Sequence, residues 1–228
     1  MIKHTYRFGR LTDRNGRWMG TVGRMARLTR QYVDEQILDR AAGLFARHGF
    51  AHTSLKDLAD AVGLSKAGLL HHFPSKEALF EAAMEMGRTQ SQHVLDQVSP
   101  LPDGPARDRR AVELLVDFAL ERPGLVALAS RAINTLGSDE TDDGDNGLAG
   151  VDRLVFDVFG VTPDSGDTER LVRVVGMLSA LAVLSLSANR AGDKTGWRPH
   201  IVTTCLDALG HRRASPSPSP FDLAQAEA

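Results

Sequence analysis

Apolar residues recur at helical spacing along most of this chain, and no segment shows the convincing alternation that a half-buried β-strand requires. The first clear helical pattern runs from about Val33 to His48. Further patterns cover residues 106–121, 123–136, 148–160, 167–190 and 199–210. With the shorter patterns described below, they predict an all-α fold of about nine helices, and 42% hydrophobic residues suffice for a packed core.

The single cysteine, Cys205, limits the chemistry that the chain can support. It excludes an intrachain disulfide, a zinc site built from several cysteines and an iron–sulfur cluster, and it is expected to pack in the core. The amino-terminal residues lack the apolar core of a secretory signal. The longest apolar run, residues 171–188, contains Arg173 and three serines, which disfavours a membrane span. We therefore expect a cytoplasmic protein without membrane association.

Charge is distributed unevenly along the chain, although the net charge is only −2. Residues 1–80 hold 13 Lys or Arg and 7 Asp or Glu, whereas residues 81–228 hold 14 and 22. A basic amino-terminal part beside an acidic remainder is typical of a region that binds a polyanion and is joined to a body with a different partner.

Residues 1–30 carry much of that basic charge and show no clear apolar period. They are predicted to form a flexible arm outside the core. Two interpretations are open: the arm contacts DNA, or it is an extension with translation beginning at Met19 or Met25. Its eight basic residues, against the single acid Asp13, are Lys3, Arg7, Arg10, Arg14, Arg17, Arg24, Arg27 and Arg30.

Two short amphipathic helices are predicted one directly after the other. The first begins at Thr53 or Ser54 and ends at Gly63, and Ser54 with Asp57 three residues on resembles a capping box. The second begins after Ser65, which is a favoured N-cap residue type. This layout is that of a helix-turn-helix, in which the glycine supplies the tight turn and the second helix enters the DNA major groove.

A longer helix is predicted after Pro74, which ends the second short helix. Ser75 is its expected N-cap, and the helix continues towards Val98. Glu77 lies in the first turn, where the helix dipole favours an anion.

Two adjacent histidines, His71 and His72, lie in the second short helix and raise the question of a metal site. Adjacent residues on a helix point about 100° apart, so the pair cannot chelate one ion as residues four apart can. Either both histidines are solvated surface residues, or they belong to a groove-reading surface. The face with Lys66, Ala67, Gly68 and His71 is small and polar, so its backbone can approach base-pair edges closely, which favours the second interpretation.

Residues 53–80, TSLKDLADAVGLSKAGLLHHFPSKEALF, resemble the DNA-binding signature of the TetR family of bacterial transcriptional repressors. Including the preceding helix, the resemblance covers about 45 residues of the sequence. The matching places are Thr53 and Ser54, Leu58 and Ala59, Val62 to Ser65, Leu69 and Leu70, His72 and Phe73, and Lys76 and Glu77. The family usually has tyrosine where this chain has Leu70, so a phosphate contact from that hydroxyl is missing.

The resemblance implies a role for each residue of the motif. Thr53, Ser54, Ser65 and Lys76 are expected to contact phosphates and fix the register on DNA. Lys66, Ala67, Gly68 and His71 are expected to face bases, with His72 near the DNA backbone. The resemblance also implies a homodimer formed by the last two helices, and the residues predicted for that interface are Leu178, Leu181, Ile201, Cys205 and Leu206.

The rest of the body contains few residue patterns that indicate a metal-binding or catalytic site. The acidic segment 137–147 lacks the acid spacing of a calcium-binding loop and is expected to be a mobile, solvated loop. No nucleophile, base and orienting group stand at a recognisable spacing, so no catalytic residue is predicted and the chain is not expected to be an enzyme. No cofactor or metal is expected, and the sequence does not identify the ligand-binding residues.

Together these features predict a basic arm (1–30), a TetR-type DNA-binding domain (31–76, with its helix-turn-helix at about 54–73), an effector-binding and dimerisation body (77–210) and a disordered Ser-Pro tail (211–228). The expected function is a dimeric transcriptional regulator, most simply a repressor, that a small-molecule effector releases from a pseudo-palindromic operator in double-stranded DNA. The alternative is a small-molecule-binding helical protein that does not bind DNA. Effector, operator sequence and regulated genes are not encoded in any recognisable motif.

Overall fold

A computed structural model describes residues 21–135, 154–161 and 166–211 of the chain. Within these residues the chain forms nine helical segments and no strand, which confirms the all-α prediction. The segments are α1 (Thr21–His48), α2 (Leu55–Val62), α3 (Lys66–His72), α4 (Lys76–Val98), α5 (Pro105–Glu121), α6 (Pro123–Thr135), α7 (154–158), α8 (Thr168–Ala191) and α9 (Lys194–Ala208).

Helix α1 begins at Thr21, well before the predicted start near Val33. Residues 21–30, which the sequence assigns to a flexible arm, are therefore helical. This stretch contains no proline and includes the good helix formers Met25, Ala26 and Leu28, so helical propensity extends the element without an apolar period. Leu28 and Tyr32 are 59% and 62% exposed. Because these side chains are not buried, the sequence shows no apolar period in this part of the helix.

The described residues separate into two compact units, one up to Ile37 and one from Leu38 onwards. The predicted DNA-binding domain and the predicted body therefore both fall mainly in the second unit. One reason is that α4 runs without interruption from Lys76 to Val98, across the predicted boundary at residues 76 and 77.

Phenylalanine side chains join the first helices of the second unit. The ring centroid of Phe45 on α1 lies 5.2 Å from that of Phe80 on α4 and 5.7 Å from that of Phe50 in the loop after α1. Leu58 of α2 and Leu69 of α3 are completely buried. Burial of these leucines holds the two short helices in place, because helices of seven and eight residues are not stable in isolation.

The larger core lies among α4, α5, α8 and α9. Helix α8 is long and apolar enough, by length and composition alone, to cross a membrane. One of its faces, with Val174 and Met177, is fully buried in the protein core. On the other face of α8, Val172 and Val183 are each 64% exposed in the single chain.

The five residues predicted for a dimer interface are already buried within the single chain. Each is at most 7% exposed because helices of the same chain cover it; they are Leu178, Leu181, Ile201, Cys205 and Leu206. Apolar periodicity identifies a face that is covered, but it does not distinguish cover by the same chain from cover by a partner.

Helix α9 begins at Lys194, five residues before the predicted start at Pro199. The side chain of Asp193 accepts a 2.9 Å hydrogen bond from the N–H of Gly196 and caps the helix. Pro199 therefore lies inside the helix, although proline more often stands in the first turn.

A buried carboxylate connects the ends of three elements of the body. Asp108 in the first turn of α5 is 3% exposed. Its Oδ1 accepts a 2.8 Å hydrogen bond from Arg170 of α8, and its Oδ2 lies 2.6 Å from Nε2 of His211, just after α9. His211 therefore belongs to the packed body and not to the predicted tail.

Cys205 is buried, and its Sγ lies 3.9 Å from the carbonyl oxygen of Met177. Burial raises the pKa of the thiol to about 12. The residue thus packs as a small apolar side chain, as the sequence predicts.

Several predictions fall on residues that the structure does not describe. They are the first part of the arm (1–20), the acidic loop (137–147), the start of the helix predicted at 148–160, and the Ser-Pro tail beyond His211.

Candidate nucleic-acid interface

The first helix of the predicted helix-turn-helix begins with a complete capping box. Ser54 Oγ accepts the N–H of Asp57 at 3.2 Å, and Asp57 Oδ2 accepts the N–H of Ser54 at 3.1 Å. The hydrogen bond from the Ser54 hydroxyl, together with that from its backbone, lowers the pKa of Asp57. The exposed Ser54 is thus a fixed residue at the N-terminus of α2.

Gly63 makes the turn between the two short helices. Its backbone has φ 73° and ψ 26°, in the left-handed region that glycine adopts at little cost. Nothing lies within 4 Å of the position that a Cβ would occupy, so the conformation and not lack of space requires glycine here.

Helix α3 presents an exposed polar face, as the sequence predicts. Ser65 Oγ accepts the N–H of Gly68 at 3.0 Å and caps the helix. Lys66, Ala67 and His71 are exposed, while Leu69 on the opposite face is completely buried. The buried leucine fixes the rotation of α3 and keeps the polar face directed outwards.

Gly68 sits where a larger residue would disturb the cap. A Cβ at this position would lie 3.3 Å from Ser65 Oγ, tighter than an ordinary contact. The absence of a side chain also leaves the backbone between Lys66 and His71 accessible to a partner surface.

His71 and His72 do not form a metal site. Their rings meet edge to face with centroids 5.9 Å apart, and only His71 is exposed. Among the residues with described positions, no three His, Cys, Asp or Glu side chains lie close enough together to hold a metal ion.

Thr53 does not occupy the place that the sequence predicts for it. It is only 2% exposed, and its Oγ1 donates a 2.7 Å hydrogen bond to the carbonyl oxygen of Gly49. The N-cap of α2 is Ser54. Thr53 therefore fixes the loop between α1 and α2, and a direct phosphate contact from its hydroxyl does not fit this burial.

Lys76 is held by the loop that precedes α2. Its Nζ donates a 2.9 Å hydrogen bond to the carbonyl oxygen of Phe50 and lies 4.2 Å from the centroid of the Phe50 ring. An ammonium group has three donors, so this arrangement leaves donors for a phosphate while fixing where the charge lies.

The structure also places residues that the motif did not include. Lys56 is exposed in the first turn of α2, close to Ser54 in sequence. A single lysine in a short helix does not by itself indicate DNA binding. Only the position of α2 beside α3 identifies Lys56 as a candidate for a phosphate contact. Leu70, where the family usually has tyrosine, is partly buried.

A cavity that the sequence did not reveal lies in the body, with about 870 Å³ of empty space including the part open to solvent. Helices α4, α5, α6, α7 and α8 surround it, and large apolar residues such as Met84, Phe118, Leu128, Phe156 and Leu181 line it. Among the described residues, the polar ones that line it are Gln90, Ser91 and Ser130, and none of those lining it is charged. The chemistry of the wall suits an apolar, uncharged molecule.

The model of the family described as bacterial regulatory proteins, tetR family, matches residues 37–83. Over 46 residues the chain is 46% identical to the HTH-type transcriptional repressor KstR2 of Rhodococcus jostii (strain RHA1), covering 20% of this chain and 22% of that protein. Over 53 residues it is 37% identical to IcaR, the HTH-type negative transcriptional regulator of the biofilm operon icaADBC in Staphylococcus aureus (strain Newman), covering 23% of this chain and 28% of that protein. The chain thus spans less than a third of the length of these curated relatives.

A solved TetR-family transcriptional regulator from Bordetella parapertussis 12822 aligns with 80% of this chain and 98% of its own, at 21% identity and a TM-score of 0.49. The curated relatives are named as transcriptional regulators, in agreement with the prediction that the chain is not an enzyme. The family match covers α2 and α3 with the flanking parts of α1 and α4, where the capped helix pair and its exposed face lie. Through residues 37–83, the chain is similar to the tetR family of bacterial regulatory proteins.

Proposed function

We propose that the protein is a cytoplasmic transcriptional regulator that binds double-stranded operator DNA with α3 in the major groove. The observation that carries this proposal is the polar face of α3, with Lys66 and His71 exposed on a helix whose opposite side is fixed by the buried Leu69. Ser54 and Ser65 stand at the N-termini of α2 and α3, where backbone N–H groups and the helix dipole favour phosphate. The repressor names of KstR2 and IcaR support a repressor.

Selection of tight-binding duplexes from a random-sequence pool tests DNA binding and identifies the preferred operator sequence in the same experiment. Enrichment of one sequence, confirmed by titration, supports the regulator. If the protein enriches no sequence but still binds apolar molecules, the result favours the alternative, a small-molecule-binding helical protein that does not bind DNA.

Replacing His71 by alanine should weaken binding to the selected duplex by about 5- to 150-fold, since loss of one good base contact costs about 1–3 kcal/mol. His93 is also exposed but lies on α4 in the body, so His93→Ala is the matched control and should leave the affinity unchanged. Fluorescence anisotropy of the labelled duplex measures both. Equal affinities of the two variants would contradict the placement of α3 in the groove.

The cavity in the body supports the proposal of a small-molecule effector, and the chemistry of its lining favours one class of molecule. The lining residues that the structure describes include no charged side chain, so an ionised group beside them would lose its hydration without an opposite charge to replace it. We therefore propose an uncharged, mainly apolar effector with one or two hydrogen-bonding groups that meet Gln90, Ser91 or Ser130. Its binding is proposed to release the operator DNA, which requires unequal affinity for the free and DNA-bound states.

Decanol should displace the neutral fluorophore N-phenyl-1-naphthylamine from the cavity more effectively than decanoate, which has a similar chain but a negative charge at pH 7. We expect the half-displacing concentration of decanol to be at least tenfold lower, because an unpaired carboxylate in an apolar site costs well over 1 kcal/mol. Displacement by decanoate at equal or lower concentration would contradict the neutral effector class.

A homodimer is proposed to form through the exposed faces of α8 and α9. Val172 and Val183 project from α8 to solvent, each 64% exposed, and the other large exposed apolar residues among those described, Leu28, Tyr32 and Val33, all lie on α1. A two-fold dimer presents two α3 helices, so the operator should be pseudo-palindromic with half-sites about 34–36 Å apart, or a multiple of that distance.

A further inference from the structure

One serine in the wall of the cavity has a hydroxyl group without a partner among the described residues. Ser91 of α4 lines the cavity and is only 4% exposed. Its side chain makes no hydrogen bond to any residue that the structure describes. A buried hydroxyl that has lost water without gaining a partner destabilises the folded chain. A ligand that bonds to Ser91 would therefore remove an existing cost.

Other helical serines of the body satisfy their hydroxyl groups within their own helix. Ser179 and Ser187 of α8 each donate to the carbonyl oxygen four residues earlier, at 2.8 Å. Ser130, which lines the same cavity from α6, makes the equivalent bond at 2.7 Å. Within the described residues, Ser91 makes no such bond. Its hydroxyl hydrogen is therefore available to a molecule in the cavity.

The two serines of the cavity wall thus differ in what they offer a ligand. The hydrogen of the Ser130 hydroxyl is already donated to a backbone oxygen, so this hydroxyl can only accept a further bond. Ser91 can both donate and accept. A ligand oxygen that carries no hydrogen can therefore bond to Ser91 and not to Ser130.

Gln90 is the third polar residue of the described wall, and its amide group has two N–H donors. Gln90 is half-buried, whereas Ser91 is buried. Water can bond to the half-buried amide when no ligand is present, so a ligand oxygen would only exchange one hydrogen bond for another. The gain from a new hydrogen bond is therefore larger at Ser91.

Apolar side chains surround Ser91 in the cavity wall. Ala83 and Met84 lie about two turns before Ser91 on α4, and all three residues line the cavity. A hydrogen bond in apolar surroundings is stronger than the same bond in water, because the local dielectric constant is low. One such bond would therefore both retain a ligand oxygen and fix the orientation of the ligand.

We propose that Ser91 selects the effector by donating a hydrogen bond to an accepting oxygen, while the apolar wall holds the rest of the molecule. This inference rests on the proposed ligand-binding function of the body. It narrows the effector to uncharged apolar molecules that carry an accepting oxygen, in the simplest case the carbonyl oxygen of a ketone or an ester. It also orients the molecule, with this oxygen towards α4.

Butyrophenone and 2-phenyl-1-pentene form a matched pair of probes, because they differ only in a C=O group against a C=CH2 group. The dissociation constant of each is measured by displacement of N-phenyl-1-naphthylamine and corrected for the affinity of each protein for this fluorophore. Ser91→Ala removes the proposed donor. Ser130→Ala is the matched control, because it removes the other serine hydroxyl of the described wall.

In Ser91→Ala we expect butyrophenone to bind about 2- to 12-fold more weakly, the usual net effect of one hydrogen bond. The affinity for the alkene should change less than twofold. In Ser130→Ala both affinities should change less than twofold, since a ketone has no hydrogen to donate to Ser130. Unchanged ketone binding in Ser91→Ala, or an equal loss for ketone and alkene, would overturn the role of Ser91. If neither probe nor the fluorophore binds the wild-type protein, the ligand-binding function itself is contradicted together with this inference.

Thermal unfolding separates the proposed role from a structural one. Ser91→Ala should keep or raise the Tm, because the variant loses no hydrogen bond within the described residues and alanine is the better helix former. A clearly lower Tm would show that the hydroxyl is bonded within the chain, and it would overturn the proposal.

The carbonyl stretch of bound, isotope-labelled butyrophenone reports on the same bond in the wild-type protein. Infrared difference spectra should place it below the frequency of the labelled ketone in hexane, because a hydrogen bond weakens the C=O bond. In Ser91→Ala the frequency should return towards the hexane value. The same frequency in both proteins would also overturn the proposal.

Discussion

Replacing Leu181 by glutamate is expected to destabilise the folded chain severely, whereas the same replacement at Val183, two residues away, is expected to leave a stable monomer. Leu181 is 6% exposed in the core beside the cavity, and Val183 is 64% exposed on the opposite face of α8. A buried, unpaired carboxylate costs about 3–5 kcal/mol, a large part of the stability of most domains. We expect Leu181→Glu to lower the Tm by about 10 °C or more.

Light scattering and thermal unfolding separate these two effects. Val183→Glu should keep a Tm comparable with that of a Val183→Ala control, which retains an uncharged surface and should remain dimeric. The glutamate variant should elute and scatter as a monomer and should bind the selected duplex more weakly, since one subunit contacts one half-site. If Val183→Glu remains a dimer with unchanged affinity, the dimer does not use this face of α8.

Removing residues 1–18, so that the chain begins at Met19, is expected to flatten the salt dependence of DNA binding strongly. This deletion removes Lys3, Arg7, Arg10, Arg14 and Arg17 but leaves all of α1, which begins at Thr21. Each neutralised phosphate contributes roughly −0.9 to the slope of log K against log salt. Two or three contacts per subunit in a dimer would therefore change the slope by about 4 to 5 units.

Titration of one selected duplex at several salt concentrations measures that slope for both proteins. A full-length variant with the five basic residues replaced by glutamine should give the same slope as the shortened chain, because charge and not length is responsible. Sequence preference within the half-sites should change little, since phosphate contacts mainly position the protein. Equal slopes for the wild-type and shortened proteins would exclude arm contacts and favour the interpretation of the arm as an extension.

The elements of the candidate nucleic-acid interface are the part of the structure that the sequence predicts best. Ser54, Gly63, Ser65 and Ser75 act as caps or turn residues at the predicted positions, because these signals operate within a few residues of the chain. The burial of Thr53 was missed since serine and threonine side chains are equally suited to capping, and only the packed loop decides which of the two neighbours caps α2.

Contacts between distant parts of the chain were beyond sequence reasoning. Asp39 and Gly124 are 85 residues apart, and neither belongs to a motif, so their hydrogen bond has no local signature. The cavity could not be predicted for a related reason. Apolar residues that line a cavity follow the same helical period as those that fill a core. The resemblance and the apolar period placed Leu181 at a dimer interface, but its surroundings within the chain depend on how α8 packs against α5 and α9.

The burial of Cys205 has a practical consequence for experiments on this protein. It is the only cysteine in the chain, and with its pKa raised to about 12 it carries almost no thiolate at neutral pH. A cysteine introduced on the exposed face of α3 or α8 would therefore react with maleimide or a spin label far faster than Cys205. Site-specific probes for distances between two α3 helices can accordingly be attached without first removing the native thiol.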